Sequence, residues 1–202
     1  MVASPFDQFK GWYDRANELE KFCEPTAMAI TTATAGGIPS VRYVLLKGVD
    51  TSGFVFFTHY ESSKGQNLLE NPNIAALFYW PLTNRQVRIE GQVQKMTDAE
   101  NDQYFHSRPV GSQISAWASP QSQVIPDKAV LLDKMKTMEK KVETEGVEVP
   151  RPNWGGFRII PKHFEFWQGH QQGRDQGGWQ FHNRFQYNLT PTGDWTIEMV
   201  NP

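Results

Sequence analysis

Between residues 27 and 96 the chain breaks into short runs rich in β-branched and aromatic residues: AMAITTAT, SVRYVLLKGV, GFVFFTH, NIAALFYW and RQVRIEGQVQKM. Turn-forming AGGIP, VDTSG, ENPN and PLTN separate them, so the region reads as an antiparallel meander. In the last run Val87, Ile89, Gly91 and Val93 alternate with Gln86, Arg88, Glu90 and Gln92. One face is therefore buried and the other polar, with Gln86 pointing away from the apolar side. FRII, HFEFWQ, RFQY and DWTIEM return to strand near the end, for roughly nine strands in all.

Helices are expected between and around these strands. Phe6, Phe9, Tyr13, Ala16, Leu19 and Cys23 recur at helical spacing after Pro5 and predict an amphipathic helix that ends before Pro25. Ser62, Ser63 and Lys64 before Gly65 open a short helix carrying Leu68 and Leu69. Thr97 and Glu100 form a capping box for a helix that runs through Tyr104 to Arg108, where the following Pro109 disfavours the α conformation. Pro109 suits the first turn of a further helix, VGSQISAWAS. A third, over 127–146, has Leu131, Met135, Met138 and Val142 as its stripe and Gly146 as its stop. The Gly- and Gln-rich stretch 169–178 has no periodicity and is expected to be a flexible loop. The fold class is α+β, a closed or partly closed antiparallel barrel with inserted and flanking helices, in one domain over 1–202.

Composition narrows the functions. A net charge of -2 spread over mixed-sign segments gives no electrostatic footprint for nucleic acid or an anionic membrane, so any bound phosphate must be met locally. The single cysteine, Cys23, rules out an internal disulfide and fits a reducing compartment; a cytoplasmic location is expected. No stretch approaches the ~20 apolar residues that span a bilayer, and the start of the chain, with Asp7 and Asp14, resembles neither a signal nor a transit peptide. There is no GxGxxG after a strand, no P-loop, no HExxH and no GxSxG, and the five histidines lack metal spacing. No metal site is expected.

What remains is basic and hydroxyl residues at element ends. Arg42 and Lys47 carry cations toward opposite faces of an apolar strand. Ser62, Ser63 and Lys64 at a helix start make a plausible phosphate cradle, although an ordinary N-cap explains the serines equally well. Tyr104, Arg108 and Ser112, spaced by four, could converge on one phosphate.

The run YFHSRPVGSQISAWASPQS over 104–122 resembles the central motif of the pyridoxine 5'-phosphate oxidases. PTAMAI from Pro25, RYVLLKG from Arg42, RQVRIEG from Arg85, WGGFRI from Trp154 and EFWQG from Glu165 fit the same family in the same order. The resemblance implies an FMN-binding split β-barrel and a homodimer with FMN in two clefts at the subunit interface. It assigns FMN to Arg42, Phe57, Thr58, Ser63, Lys64, Gln86, Gln121, Ser122, Trp167 and Arg184. The substrate phosphate falls to Lys47, Tyr104, Arg108 and Ser112, with Gln180 on the substrate side and His182 over the pyridine ring near the reacting carbon. The implied reaction is oxidation of pyridoxine or pyridoxamine 5'-phosphate to pyridoxal 5'-phosphate, with O2 as acceptor and H2O2 as product. Two alternatives stay open: the same flavin acting on another substrate, as in phenazine-pathway members, and a non-catalytic FMN or pyridoxal-phosphate binder.

The sequence departs from the family pattern at four places. Gln180 stands where the family usually has a substrate-side arginine, in QFHNR instead of RLHDR, after a longer loop that contains Arg174. Ser63 replaces an arginine beside Lys64, removing a charge-assisted bond of about 1.5–3 kcal/mol. Met199, Val200, Asn201 and Pro202 replace the usual Arg-Leu-x-Pro ending. The arginine and tyrosine segment that covers the substrate in some members is expected to be missing ahead of the first helix.

Overall fold

The computed structural model describes residues 2–20, 22–169 and 182–202; Arg174 and Gln180 lie outside the described residues. Local signals set the helix boundaries. In α1 (Pro5–Leu19) Ser4 accepts from the Asp7 amide and proline fills the first turn. Its buried stripe is Pro5, Phe9 and Ala16, whereas Leu19 and Cys23, expected on the same face, are exposed. The helix ends at Leu19, and the next inward place goes to the fully buried Glu20, whose carboxylate accepts from the backbone N–H groups of Leu82 (2.9 Å) and Thr83 (3.4 Å).

Ser62 caps α2 (Ser63–Glu70), and the Thr97/Glu100 capping box starts α3 (Asp98–Ser107). Pro109 separates α3 from α4 (Val110–Ala118). α5 (Lys128–Glu145) runs from the Asp127 cap to Gly146, whose φ of 64° is the left-handed turn that glycine tolerates. Of its expected stripe Met138 is buried, and Met135 and Val142 are half-buried against Phe105, Ile114 and Trp154.

Nine strands form one antiparallel sheet among the described residues: β1 (Ala27–Ala33), β2 (Pro39–Leu45), β3 (Gly48–Asp50), β4 (Gly53–His59), β5 (Asn73–Trp80), β6 (Arg85–Lys95), β7 (Trp154–Gln168), β8 (Asn183–Leu189) and β9 (Trp195–Met199). Their order is β2-β1-β5-β6-β7-β4-β3, with β8 also on β7 and β9 on β8. The partition differs from the sequence expectation. SVRYVLLKGV divides into β2 and β3, while FRII and HFEFWQ fuse into β7. Fusion is possible because Pro161 sits at a bulge, where the β6–β7 register slips between Glu90 and Gly91. A side chain at Gly91 would collide with the Ile160 carbonyl.

Strand β7 gives one edge to β6 over nearly its whole length and divides the other, pairing with β4 over 154–159 and with β8 over 163–168. At the far side the amides of Leu46 and Lys47 donate to the carbonyls of Thr26 and Val55, so the end of β2 is tied to β4 and the sheet curls into a half-barrel. The barrel encloses Phe54, Phe56, Phe78, Phe164 and Phe166, all essentially inaccessible, and Phe9 of α1 plugs it with ring contacts to Phe54 (4.8 Å) and Phe78 (5.1 Å).

Helix α3 is locked to the start of β7 by Asn101. This fully buried amide accepts from Gly156 N–H (2.8 Å) and donates to the Tyr60 hydroxyl (3.1 Å). A side chain at Gly155 would displace it. Asn101→Ala strands the Gly156 N–H in a dry site, and is expected to cost about 2 kcal/mol. The thermal midpoint should fall by roughly 4–8 °C in calorimetry or a melting scan; an unchanged midpoint would show that Asn101 does not lock the two elements.

Candidate active site

The ends of β2 and β4, the start of α2 and the α3–α4 elbow converge on a cleft of about 250 Å3. Lys47, Lys64, Arg108 and Tyr104 supply its polar wall, with Thr58 and Gln121, and Phe57, Trp154, Tyr43 and Leu45 its apolar one. Strand alternation does not place Lys47, because β2 ends at Leu45 and Lys47 lies in the β2–β3 connection.

Lys64 is buried in the first turn of α2 and donates to Gln121 Oε1 (2.7 Å) and Thr58 Oγ1 (3.2 Å). Burial, with the nearby Arg42 charge, lowers its amine to about 8. Arg42 is held by Thr32 Oγ1 (2.7 Å), and Ser122 follows Gln121 in the left-handed conformation at φ 70°. Arg108 donates through Nη2 to the backbone carbonyl of Ser112 (3.0 Å); its Nη1 is buried without a partner among the described residues. Among the described residues no carboxylate pairs with Arg42, Lys47, Lys64 or Arg108. Uncompensated cations and an orphaned buried donor in one cleft are the chemistry of an anion site.

Two expected members of this group are placed differently. Ser112 meets Arg108 through its carbonyl, and Ser63 is exposed, since Ser62 is the residue that caps α2. Sequence reasoning missed Trp154 and His59, which are register partners across β4 and β7. His59 is buried beside the cleft, where burial, then the Lys64 charge, lowers its imidazole and keeps it neutral. Trp154 entered the sequence reading only as the first residue of WGGFRI and His59 only as the end of a strand, because their places at the cleft follow from a pairing across a long stretch of chain.

The remaining expected residues form a second group. Gln86, Trp167 and Arg184 are partners in one row across β6, β7 and β8, and so share one face of the sheet. His182 lies 4.8 Å from the Trp167 ring, with Nδ1 buried and unpartnered among the described residues. Arg184 donates to the Glu165 carboxylate (2.7 Å) and to the Asn201 carbonyl (2.8 Å). Burial pushes Glu165 up, but hydrogen bonds from Arg184 and Gln186, with the charge of Arg88, more than offset it and hold the carboxyl below its ordinary range. The C-terminus thus grips Arg184 by backbone, which its altered side chains leave intact.

Within one chain the two groups stay apart. Gly156, beside Phe57, and Trp167, beside Arg184, are separated by roughly 35 Å of strand along β7 at ~3.3 Å per residue. No hydrogen bond, ion pair or ring contact joins the groups among the described residues.

Residues 16–141 match the family model described as pyridoxamine 5'-phosphate oxidase, and residues 154–202 match the pyridoxine 5'-phosphate oxidase C-terminal dimerisation region. The chain belongs to the pyridoxamine 5'-phosphate oxidase family. It is 46% identical over 203 residues to a pyridoxine/pyridoxamine 5'-phosphate oxidase of Cupriavidus necator, covering 100% of this chain and 91% of the relative. A relative of the same name from Trichormus variabilis is 45% identical, with 98% and 89% covered. Among solved structures, PhzG from Burkholderia lata in complex with tetrahydrophenazine-1-carboxylic acid superposes with a TM-score of 0.88 at 30% identity, covering 100% of this chain and 94% of that one. A pyridoxamine 5'-phosphate oxidase-related, FMN-binding protein from Nostoc punctiforme, at 17% identity and TM-score 0.72, shares the fold. Members of this family are FMN-dependent oxidoreductases, and this chain is one of them.

The Lys64 amine gives the cleft a pH signature. An anion raises the amine back toward its ordinary value, so binding takes up a proton near pH 8, and the gain is fully present below about 8 and lost above it. A phosphate monoester, already dianionic above its second pKa of about 6, should bind progressively more weakly from pH 8 to 9.5, by up to about tenfold per unit. In Lys64→Met this dependence should disappear. Calorimetric titration across that range checks it; a flat wild-type profile would contradict it.

Proposed function

We propose that this chain oxidises pyridoxamine 5'-phosphate or pyridoxine 5'-phosphate to pyridoxal 5'-phosphate, with O2 as the final electron acceptor and H2O2 as product. The observation that carries the reading is the cleft itself: among the described residues Lys47, Lys64 and Arg108 have no carboxylate partners, and a buried Arg108 Nη1 has nothing to donate to. The donor set fits two phosphates. Arg42, Lys64, Thr58 and Gln121, with Ser63 and Ser122 at the rim, would hold the phosphate of FMN; Lys47, Tyr104, Arg108 and Ser112 would hold that of the substrate. Phe57 would line the cofactor's side of the cleft.

The sheet-side group completes the site. Gln86 offers a donor and an acceptor to the polar edge of a flavin, Trp167 a flat contact and Arg184 a fixed cation. His182 would cover the substrate ring near the reacting carbon. Since the groups are apart in one chain, each cleft would be closed by the sheet row of a second copy. The match to a dimerisation region supports this, as does the exposure of Tyr43 (77%) and Leu45 (40%) on the cleft wall.

FMN, when bound, supplies the two-electron acceptor chemistry that no side chain here can provide. The protein would hold the phosphate so that the reacting carbon is fixed in place, and the half-buried Phe57 and Tyr104 would keep water from that wall. No protein nucleophile is required. A reduced tricyclic carboxylic acid is the second reading, favoured by the likeness to PhzG and by Gln180 in place of a substrate-side arginine.

Anaerobic mixing of the FMN-loaded protein with pyridoxamine 5'-phosphate should bleach the flavin absorption, and admitting air should restore it with pyridoxal 5'-phosphate and peroxide formed. Fully loaded protein that stays coloured with both vitamer phosphates would overturn the proposal, and bleaching by a tricyclic acid alone would establish the second reading.

A further inference from the structure

The orphaned Arg108 donor raises the question of what keeps a half-buried guanidinium in place without a carboxylate. Three near-parallel rings stand beside it. Phe57 stacks on Tyr104 (centroids 3.9 Å, planes 13° apart) and on Trp154 (5.0 Å, 13°), and Tyr104 and Trp154 are themselves within 4° of parallel. The Arg108 guanidinium carbon lies 4.7 Å from the Trp154 ring centre. Trp154 is 6% exposed. Its carbonyl accepts from Arg151 Nη1 (2.8 Å), and Arg151 is ion-paired to Asp98 and Asp102 of α3.

Resting on the vitamer-phosphate reading of the cleft, we propose that Trp154 is a positioning residue that sets the preference for a phosphorylated substrate, acting through Arg108. A carboxylate partner would occupy the guanidinium fork and cancel its charge. An aromatic face fixes the plane of the group, uses none of its N–H donors and leaves its charge uncompensated. Nη2 is then aligned by the Ser112 carbonyl, and Nη1 is left free for the phosphate. Because Phe57 also packs on Tyr104, one set of rings fixes both the guanidinium and the phenol before the substrate arrives, so little ordering remains to oppose binding.

The test compares pyridoxamine 5'-phosphate with unphosphorylated pyridoxamine in steady-state kinetics of the FMN-loaded enzyme. Wild type should prefer the phosphorylated substrate. Trp154→Leu should raise its KM by roughly tenfold, leave kcat within about twofold, and leave the KM for pyridoxamine unchanged. Trp154→Phe, which keeps a ring face, should recover most of the loss. In an Arg108→Ala background Trp154→Leu should add nothing further, as two residues acting as one unit require. Equal rises in KM for both substrates, or losses that add in the double variant, would reduce Trp154 to a packing residue and overturn the inference. If leucine prevents folding, Trp154→Met carries the same cycle with the same two outcomes. A wild-type enzyme that turns over both substrates equally well would refute the phosphate reading beneath it, whereas a wild-type preference that Trp154→Leu retains would refute this inference alone.

Discussion

The divided edge of β7 governs where everything functional lands. Its first residues pair with β4 and so face the α2 start and the α3–α4 elbow; its last residues pair with β8 and carry Trp167 and Arg184. The Glu90/Gly91 bulge lets one strand do both, because it absorbs Pro161 where an uninterrupted ladder would require an N–H. One strand therefore presents the two groups of candidate site residues at its two ends. The curl of the half-barrel keeps them on surfaces that a single chain does not bring together, and under the proposed function a two-fold partner would supply the missing half by symmetry.

The two halves are prepared in opposite ways. On the sheet side, Arg184 is already neutralised by Glu165, a carboxylate 3% exposed and shared with Arg88 at 3.5 Å. That cation is fixed by ion pairing, and a ligand would meet a finished surface. In the cleft, cations accumulate without compensation although the chain as a whole carries a net charge of -2. The cost of that arrangement is visible in the lowered Lys64 amine and in the buried Arg108 donor, and a dianionic phosphate would offset it. Local charge, held by hydroxyls, amides and an aromatic face, accomplishes what the overall composition does not.

Much of this was legible in the sequence because it is written locally. The Thr97/Glu100 box, the Pro109 break and the Gly146 stop mark helix ends within a few residues of the groups that do the capping. The cations at element ends were identifiable for the same reason. The fusion across Pro161 was not legible, since it depends on Gly91 opposite. Nor was Trp154, whose value lies in its distance from Arg108, Phe57 and Tyr104, residues remote from it in sequence. Ser112 illustrates a third kind: its hydroxyl was what the sequence marked, whereas the contact that its carbonyl makes with Arg108 carried no signal in the sequence.

A shared site has one direct test, the mixing of two crippled chains. Lys64→Ala removes a cation from the cleft half and Arg184→Ala one from the sheet half, and each homodimer should lose FMN on gel filtration. Refolding the two together should give mixed dimers in which one cleft unites an intact Lys64 with an intact Arg184 of the other chain, and that cleft should retain FMN. Mixtures that hold no more FMN than either parent, with mixed dimers shown to form, would contradict a site assembled across the two-fold axis.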